Sequence, residues 1–540
     1  MSYLFILLSQ YITRDVVVTK YLLKRLLHGL ISVVIVVAIV MILVYSLMSR
    51  EVIFARDGTF TKRSNNDREI YKYTQWEKFG YLDYVPYSEY MQQLAKDGEI
   101  DEETRAAAVS IAKEADNDPE IVKEYVEKFT EYYEGKGYTV VRLDPVMLTK
   151  TKLDVGGRQQ LFAYKDYPLF RRLWTYFTGI LKVDDVNYVE DDIEDRGLTF
   201  TLHDPIYGGD KFSPAIIGNG TKHKYLLYFD STFPYLHQNL LTVNLGLSYS
   251  VNNGVDVFDT MTQSQGAYVT STITYPTGLT EEAAYDLHTA TYAPGSRDSS
   301  PMFSDRFTDD YTNVSLHRAN MSKTGYSFVI GIISVVMAYL LSMPLGILMA
   351  RNKDKLVDKI GTLYIVFILA VPSLAYIFLF KALGGLAGLP TTFMMEGETW
   401  LMYVLPIISL ALPSIANLMK WLRRYMIDQM NSDYVKFARS GGLSEGEIFS
   451  KHILKNAAIP IVHGIPASVL GALVGAIITE RVYLVPGAGN LLTTAINNYD
   501  NGVIVGLTLF YAMLSILSII LGDILMAMVD PRISFSTKAR

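Results

Sequence analysis

Between Leu26 and Met48 the chain carries no Asp, Glu, Lys or Arg. About 20 apolar residues in helical conformation cross a bilayer. In hydrocarbon every backbone N–H and C=O needs an internal partner, so an isolated span has to be a helix. The same constraint recurs at about Tyr326–Ala350, Ile360–Phe380, Trp400–Met419, Ala457–Thr479 and Val503–Val529. These runs predict an α-helical polytopic membrane protein with six transmembrane helices. The first run follows Arg14, Lys20, Lys24 and Arg25. It exceeds the usual signal-peptide core and no small-residue cleavage site follows it, so it is expected to be retained. Residues 1–20, whose apolar start Met1–Leu8 is too short to span, are expected to form an interfacial segment, and 21–50 the first transmembrane helix.

From Glu51 to Ser322 the character changes, with no spanning run and many Tyr, Asp, Glu and Lys residues. Asp101–Tyr133 reads as helical, with Pro119 starting a second helix within it. Leu198–His203, Tyr225–Phe229 and Ala267–Tyr275 have strand-like content with Gly and Asn around them. An inserted α+β domain over 51–322 follows, between the first and second membrane helices and long enough for its own core. Its tyrosines could serve peptide or protein contact, or fill that core. The composition of the 540 residues, 50% hydrophobic with net charge −6, suits a membrane protein with one aqueous domain and gives no general attraction to nucleic acid. With no cysteine, disulfides, thiol catalysis and Cys-type zinc sites are excluded.

Charge orients the spans. Lys420, Arg423, Arg424, Lys436, Arg439, Lys451 and Lys455 cluster between spans four and five, and Arg351, Lys353, Lys355 and Lys359 between two and three. Segments 384–399 and 482–501 have no Lys or Arg. The positive-inside rule then puts both termini in the cytoplasm and residues 51–322 outside the cell, in a multi-pass protein of the plasma membrane.

The cytoplasmic stretch Asp433–Val462 is polar and basic. A helical run ends at Gly441-Gly442, where glycine can take the left-handed turn. Ser444 and Glu447 then make a capping box that starts a second helix through Ile448, Phe449 and Ile453. A helix–turn–helix knuckle is predicted, suited to a groove on a soluble partner. The residues Asp433-Tyr434-Val435, Ala438-Arg439, Gly442-Leu443-Ser444, His452, Leu454, Asn456-Ala457 and Pro460 resemble, without a gap, the coupling (EAA) loop of ABC importer permeases in the dipeptide/oligopeptide/nickel family. Lys436-Phe437 departs from the first letters of the general pattern, and Leu454-Lys455 follows the peptide branch. Within a coupling loop over 431–458, the resemblance assigns ATPase coupling to Phe437, Ala438, Arg439, Gly441, Gly442, Leu443, Ser444, Glu447 and Phe449.

Further echoes are Leu169–Ile180, Asn244–Met261, Met343–Ile347, Val371-Pro372-Ser373, Glu480–Tyr483 with Pro486–Leu492, and Gly522–Arg532. The ordinary connector after the first helix is present but opened by insertions at roughly 51–165, 182–240 and 262–320, which resembles Gram-positive oligopeptide permeases of the Ami type. The resemblance implies a type I ABC importer permease fold, with 323–540 as the permease core. It also implies a homologous second permease subunit, two cytoplasmic ABC ATPases and an extracellular lipid-anchored peptide-binding protein. Pro344, Gly346, Pro372, Ser373, Pro466, Gly471, Pro486 and Gly487 are candidates for hinges or the translocation path, and packing is their other reading. The Pro486–Leu492 stretch is expected to form an external or re-entrant turn. Asp523, acidic at membrane depth, is expected to hydrogen-bond or snorkel. The chain has no G-x-x-x-x-G-K-[ST] phosphate loop, so ATP and Mg are expected at the partner ATPases, with no cofactor or metal on this chain. A permease for nickel or another small solute, and a peptide receptor that signals without transport, are the competing readings.

Overall fold

A computed structural model describes residues 2–529 apart from 64, 110, 112–117, 144–146, 150–151, 154–160, 184–187, 190–192, 194 and 230–235. The Asp530-Pro531-Arg532 echo thus lies outside the described residues. One helix runs Ser2–Leu47. Residues 2–20, expected as an interfacial segment, are helical and continuous with the first membrane helix, consistent with the lack of any Pro or Gly between Ser2 and His28. Among the described residues, five helices are long and apolar enough to cross a membrane: Leu23–Leu47 of this first helix, Lys323–Arg351, Leu401–Met430, Ile465–Tyr483 and Asn501–Met526. The expected third span is not straight. Leu356–Ala370 and Ser373–Leu386 meet at 110°, and they make a sixth crossing only as a bent pair. The break falls at Val371-Pro372, where the proline ring and its missing N–H disfavour a continuing helix. The fifth expected span is also divided, into Lys455–His463 and Ile465–Tyr483 on either side of Gly464.

Small residues let the helices approach closely. Gly331 faces Leu473, and a Cβ on Gly346 would sit 3.0 Å from the Leu422 side chain. Tyr326, Ile330, Tyr376, Leu405, Ala476 and Tyr483 share one buried cluster across four helices. The first and last membrane helices meet where Gly29 lies against Ile516. An ion pair seals that contact, with Arg25 Nη2 3.1 Å from Asp523 Oδ2 and the Tyr21 hydroxyl donating to the same oxygen at 3.1 Å. Asp523 therefore has the structural bonding expected of it.

Residues between the first membrane helix and Lys323 form the α+β region. An antiparallel sheet joins Leu82–Pro86, Leu161–Asp166 and Thr139–Arg142 in that order, with Tyr84 opposite Tyr164 and Thr139 on the other side of Tyr164. Helix Glu120–Gly135 starts after Pro119, as the sequence predicts. A second sheet orders Leu236–Gln238, Tyr225–Phe229, Ala215–Asn219 and Gly197–Thr201. The single strand expected over Ala267–Tyr275 is two: Gln265–Tyr268 pairs with Arg318–Asn320, and Ser271–Thr274 with Thr280–Ala283. Tyrosine fills the core here, with Tyr81, Tyr84, Tyr87, Tyr225, Tyr228, Tyr249, Tyr275 and Tyr311 all buried.

A buried histidine sits between two carboxylates in this region's second half. His288, 4% exposed, stacks on Tyr228 with centroids 4.4 Å apart. Its Nε2 is 2.7 Å from Asp204 Oδ2, and its Nδ1 is 3.3 Å from Asp286 Oδ1. Burial acts to lower the imidazole pKa, but the bonds to Asp204 and Asp286 outweigh it and raise the pKa from its ordinary 6.5 to about 9. The folded state thus binds the proton more tightly than the unfolded chain. The resulting stability is complete below about 6.5 and is lost as pH rises through about 9. Asp204→Asn is expected to cost roughly 3 kcal/mol at pH 6 and clearly less at pH 10, read as unfolding of the purified protein. Equal losses at the two pH values would exclude a charged His288.

Candidate coupling site

The knuckle begins with helix Asp433–Ser440. Gly441 ends it with φ −76°, an ordinary value, and Gly442 alone takes the left-handed conformation at φ +84°. The reversal therefore depends on one glycine of the pair. Ser444 caps the next turn: its Oγ accepts from Glu447 N at 3.3 Å, while Glu447 Oε2 accepts from Ser444 N at 3.3 Å. The predicted second helix differs from expectation, because Ile448–Leu454 is wound as a π-helix before Lys455 resumes the α-helix. The wider turn turns Ile448 and Ile453 together into the core.

The inner face of the knuckle is apolar and fixed. Val435, Ala438, Ile448 and Ile453 pack with Ala350 of one membrane helix and Leu422 and Met426 of another. Phe449 is half-buried, with the Arg351 guanidinium 4.9 Å above its ring. The outer face is open: Phe437 is 79% exposed and Leu443 37%. A Cβ on Gly442 would meet nothing within 4 Å. Arg439 clasps Glu445 across the turn, Nε to Oε1 at 2.5 Å and Nη2 to Oε2 at 3.0 Å. The arrangement is a plug with an exposed aromatic tip, seated on the ends of two membrane helices. Arg423 and Asp358 pair beside it, Nε to Oδ1 at 2.5 Å and Nη2 to Oδ2 at 2.6 Å.

The hinge candidates fall into distinct settings. Pro372 and Ser373 stand at the 110° bend. Pro466 opens the helix that follows the break at Gly464. Pro344 lies inside the unbroken helix Lys323–Arg351, and Gly346 packs on Leu422. A Cβ on Gly471 would meet nothing within 4 Å. Pro486 and Gly487 belong to a latch at the opposite end of the molecule from the knuckle. There Glu480, fully buried, accepts from Ser327 Oγ at 2.6 Å and Asn490 N at 2.9 Å, and Ser327 Oγ accepts from Ala488 N at 2.8 Å. A Cβ on Gly487 would collide with the Glu480 carboxylate, and one on Gly489 would lie 2.7 Å from the Ile477 backbone. The turn expected over Pro486–Leu492 therefore continues into a short helix, Ala488–Asn497, clamped over the end of Ile465–Tyr483.

Two anchors escaped sequence reasoning. Asp500, fully buried, accepts from Ser248 Oγ at 2.7 Å, from the N–H groups of Tyr249, Ser250 and Val251 at 2.9 Å each, and from Val503 N at 3.2 Å. It ties the α+β region to the last membrane helix, whose Gly502 leaves room for the Leu247 carbonyl. An Asp just before an apolar run is an N-cap signal, met here by Val503, but its other partners lie about 250 positions away. Glu398 gathers the Tyr326 hydroxyl at 2.6 Å, Asn320 Nδ2 at 2.7 Å and the Tyr403 hydroxyl.

An apolar helical core thus carries the plug at one end and the α+β region at the other. Over residues 342–535 the chain matches the family described as binding-protein-dependent transport system inner membrane component. It is similar to the oligopeptide transport system permease protein AmiC of Streptococcus pneumoniae, with 34% identity over 96% of this chain and 99% of that protein. The dipeptide transport system permease protein DppB of Lactococcus lactis subsp. cremoris is 31% identical over 41% of this chain and 73% of its own length. Among solved structures, an amino acid ABC transporter with histidines aligns over 39% of this chain and 92% of its own, at 16% identity and a TM-score of 0.30. The chain belongs to the binding-protein-dependent permease family, in the branch whose relatives are oligopeptide and dipeptide permeases. The match to AmiC runs through the α+β region as well as the membrane core.

Proposed function

We propose that this chain is one of two permease subunits of an ATP-driven oligopeptide importer. It crosses the membrane six times, counting the bent pair as one span, with both termini in the cytoplasm and residues 51–322 outside. Two cytoplasmic ATPases bind and hydrolyse ATP with Mg, and this chain is not itself an enzyme and holds no cofactor. Their closure pushes on the knuckle formed by Phe437, Ala438, Arg439, Gly441, Gly442, Leu443, Ser444, Glu447 and Phe449. The knuckle is seated on Ala350, Leu422 and Met426, so its displacement carries the membrane helices with it and alternates access to the path between the two permeases. A lipid-anchored peptide-binding protein delivers substrate to the external side.

The observation that carries this reading is the knuckle, buried on one face and bearing an exposed Phe437 and an open Gly442 on the other. Affinity purification of the chain from its native membrane is the direct test. Recovery of two ATPases, a second permease and a lipoprotein is expected. Recovery with a signalling protein and no ATPase would replace the importer reading with that of a receptor.

A further inference from the structure

A cavity of about 400 Å³ opens where the α+β region meets the first and last membrane helices. Met41 and Tyr45 of the first helix border it, as do Gly502 and Val505 of the last. Three cations line it, Lys78, Arg171 and Arg172, and the lining contains no Asp or Glu. Among the described residues none of the three forms an ion pair with a carboxylate. The two guanidinium groups are instead stacked on aromatic rings: Arg171 lies 3.8 Å from the Tyr167 centroid, and Arg172 3.8 Å from Tyr45 and 3.9 Å from Tyr81. Stacking occupies the guanidinium face and leaves its in-plane N–H donors for an oxyanion. Three like charges around one hollow repel each other until an anion enters.

We propose that this cavity binds the phosphate of an anionic phospholipid headgroup. The helix that supplies both arginines, Leu169–Gly179, places its side chains on two sides. Arg171, Arg172, Thr175 and Tyr176 line the hollow, while Phe170 and Trp174, one turn apart, are 75% and 64% exposed. Leu181, just beyond it, is 61% exposed. A helix with a basic side and exposed Phe and Trp is built to lie at the level of lipid headgroups. The ends of the membrane helices that floor the cavity set the same level. A zwitterionic headgroup brings its own cation to the three already present, so a net negative lipid is selected. Assignment to the outer leaflet rests on the orientation proposed above, whereas the lipid chemistry does not.

The test uses the full-length chain with the subunits that accompany it, delipidated and titrated with short-chain phosphatidylglycerol, phosphatidylcholine or inorganic phosphate, with bound lipid counted by native mass spectrometry. Phosphatidylglycerol is expected to bind at least about tenfold more tightly than phosphatidylcholine, from its charge-assisted hydrogen bonds. The double variant Lys78→Gln/Arg171→Gln is expected to abolish that preference with an unchanged melting temperature, and Arg172, stacked within the aromatic core, is left in place. Equal binding of both lipids, a preference that survives the double variant, or displacement by inorganic phosphate at comparable concentration would overturn the proposal. Glu134→Cys in this cysteine-free chain, probed with an impermeant maleimide, reads orientation independently. An inverted topology is thereby told apart from a missing lipid site.

Discussion

Gly442→Val is expected to leave the protein in the membrane in normal amount and to reduce ATP-driven peptide uptake at least about tenfold. The backbone at 442 has φ +84°. An L-residue pays roughly 1–2 kcal/mol there, and a β-branched one more. No neighbour would be struck, because a Cβ at this position meets nothing within 4 Å. The strain is therefore relieved by re-aiming the turn between Ser440 and Ser444, which moves Phe437 and Leu443 on the outer face relative to the buried inner one. Gly442→Asn, which tolerates the left-handed region, is expected to retain most of the uptake. Gly441→Ala, at φ −76°, is expected to retain it too. Radiolabelled peptide uptake in cells, set beside the ATPase rate of the purified assembly, separates coupling from folding. Wild-type uptake in the valine variant would remove the coupling role from the knuckle.

Asp500→Ala is expected to free the α+β region from the last membrane helix. The substitution strands the Ser248 hydroxyl and the N–H groups of Tyr249, Ser250 and Val251. Each buried donor without a partner costs about 1–3 kcal/mol, so a local loss on the order of 5 kcal/mol follows. Amide hydrogen exchange at 249–251 is expected to accelerate by several orders of magnitude, while that of the Leu82–Pro86 and Leu161–Asp166 sheet stays slow. Asp500→Asn keeps one acceptor oxygen and falls between. Unchanged protection at 249–251 would mean that the contact is held by packing alone.

What the sequence reveals and what it hides follows from the range of the interactions. The apolar runs, the capping box of Ser444 and Glu447, the start at Pro119 and the strand Tyr225–Phe229 depend on residues within a few positions of each other, and each is found. The knuckle is legible for the same reason, down to a glycine turn, although which glycine of the pair is left-handed is not. The 110° bend is half legible, since Pro372 marks a break but the residues around it do not give the angle. Ala267–Tyr275 reads as one strand because local β content cannot tell that its two halves have different partners, near 320 and near 282. Asp500, Glu398 and the Arg423–Asp358 pair are invisible in one dimension, because a short polar residue declares its role only through groups brought to it by the fold.

Three acidic side chains near the membrane do the same kind of work. Glu480 is consumed by Ser327 and the amide of Asn490, Asp523 by Arg25 and Tyr21, and Asp358 by Arg423. Each carboxylate spends its lone pairs on bonds that join one helix to another. A proton wire threaded through these groups would have to dismantle the helix contacts in order to run. Neutralising any one of the three would therefore loosen a contact between helices rather than alter an isolated side chain.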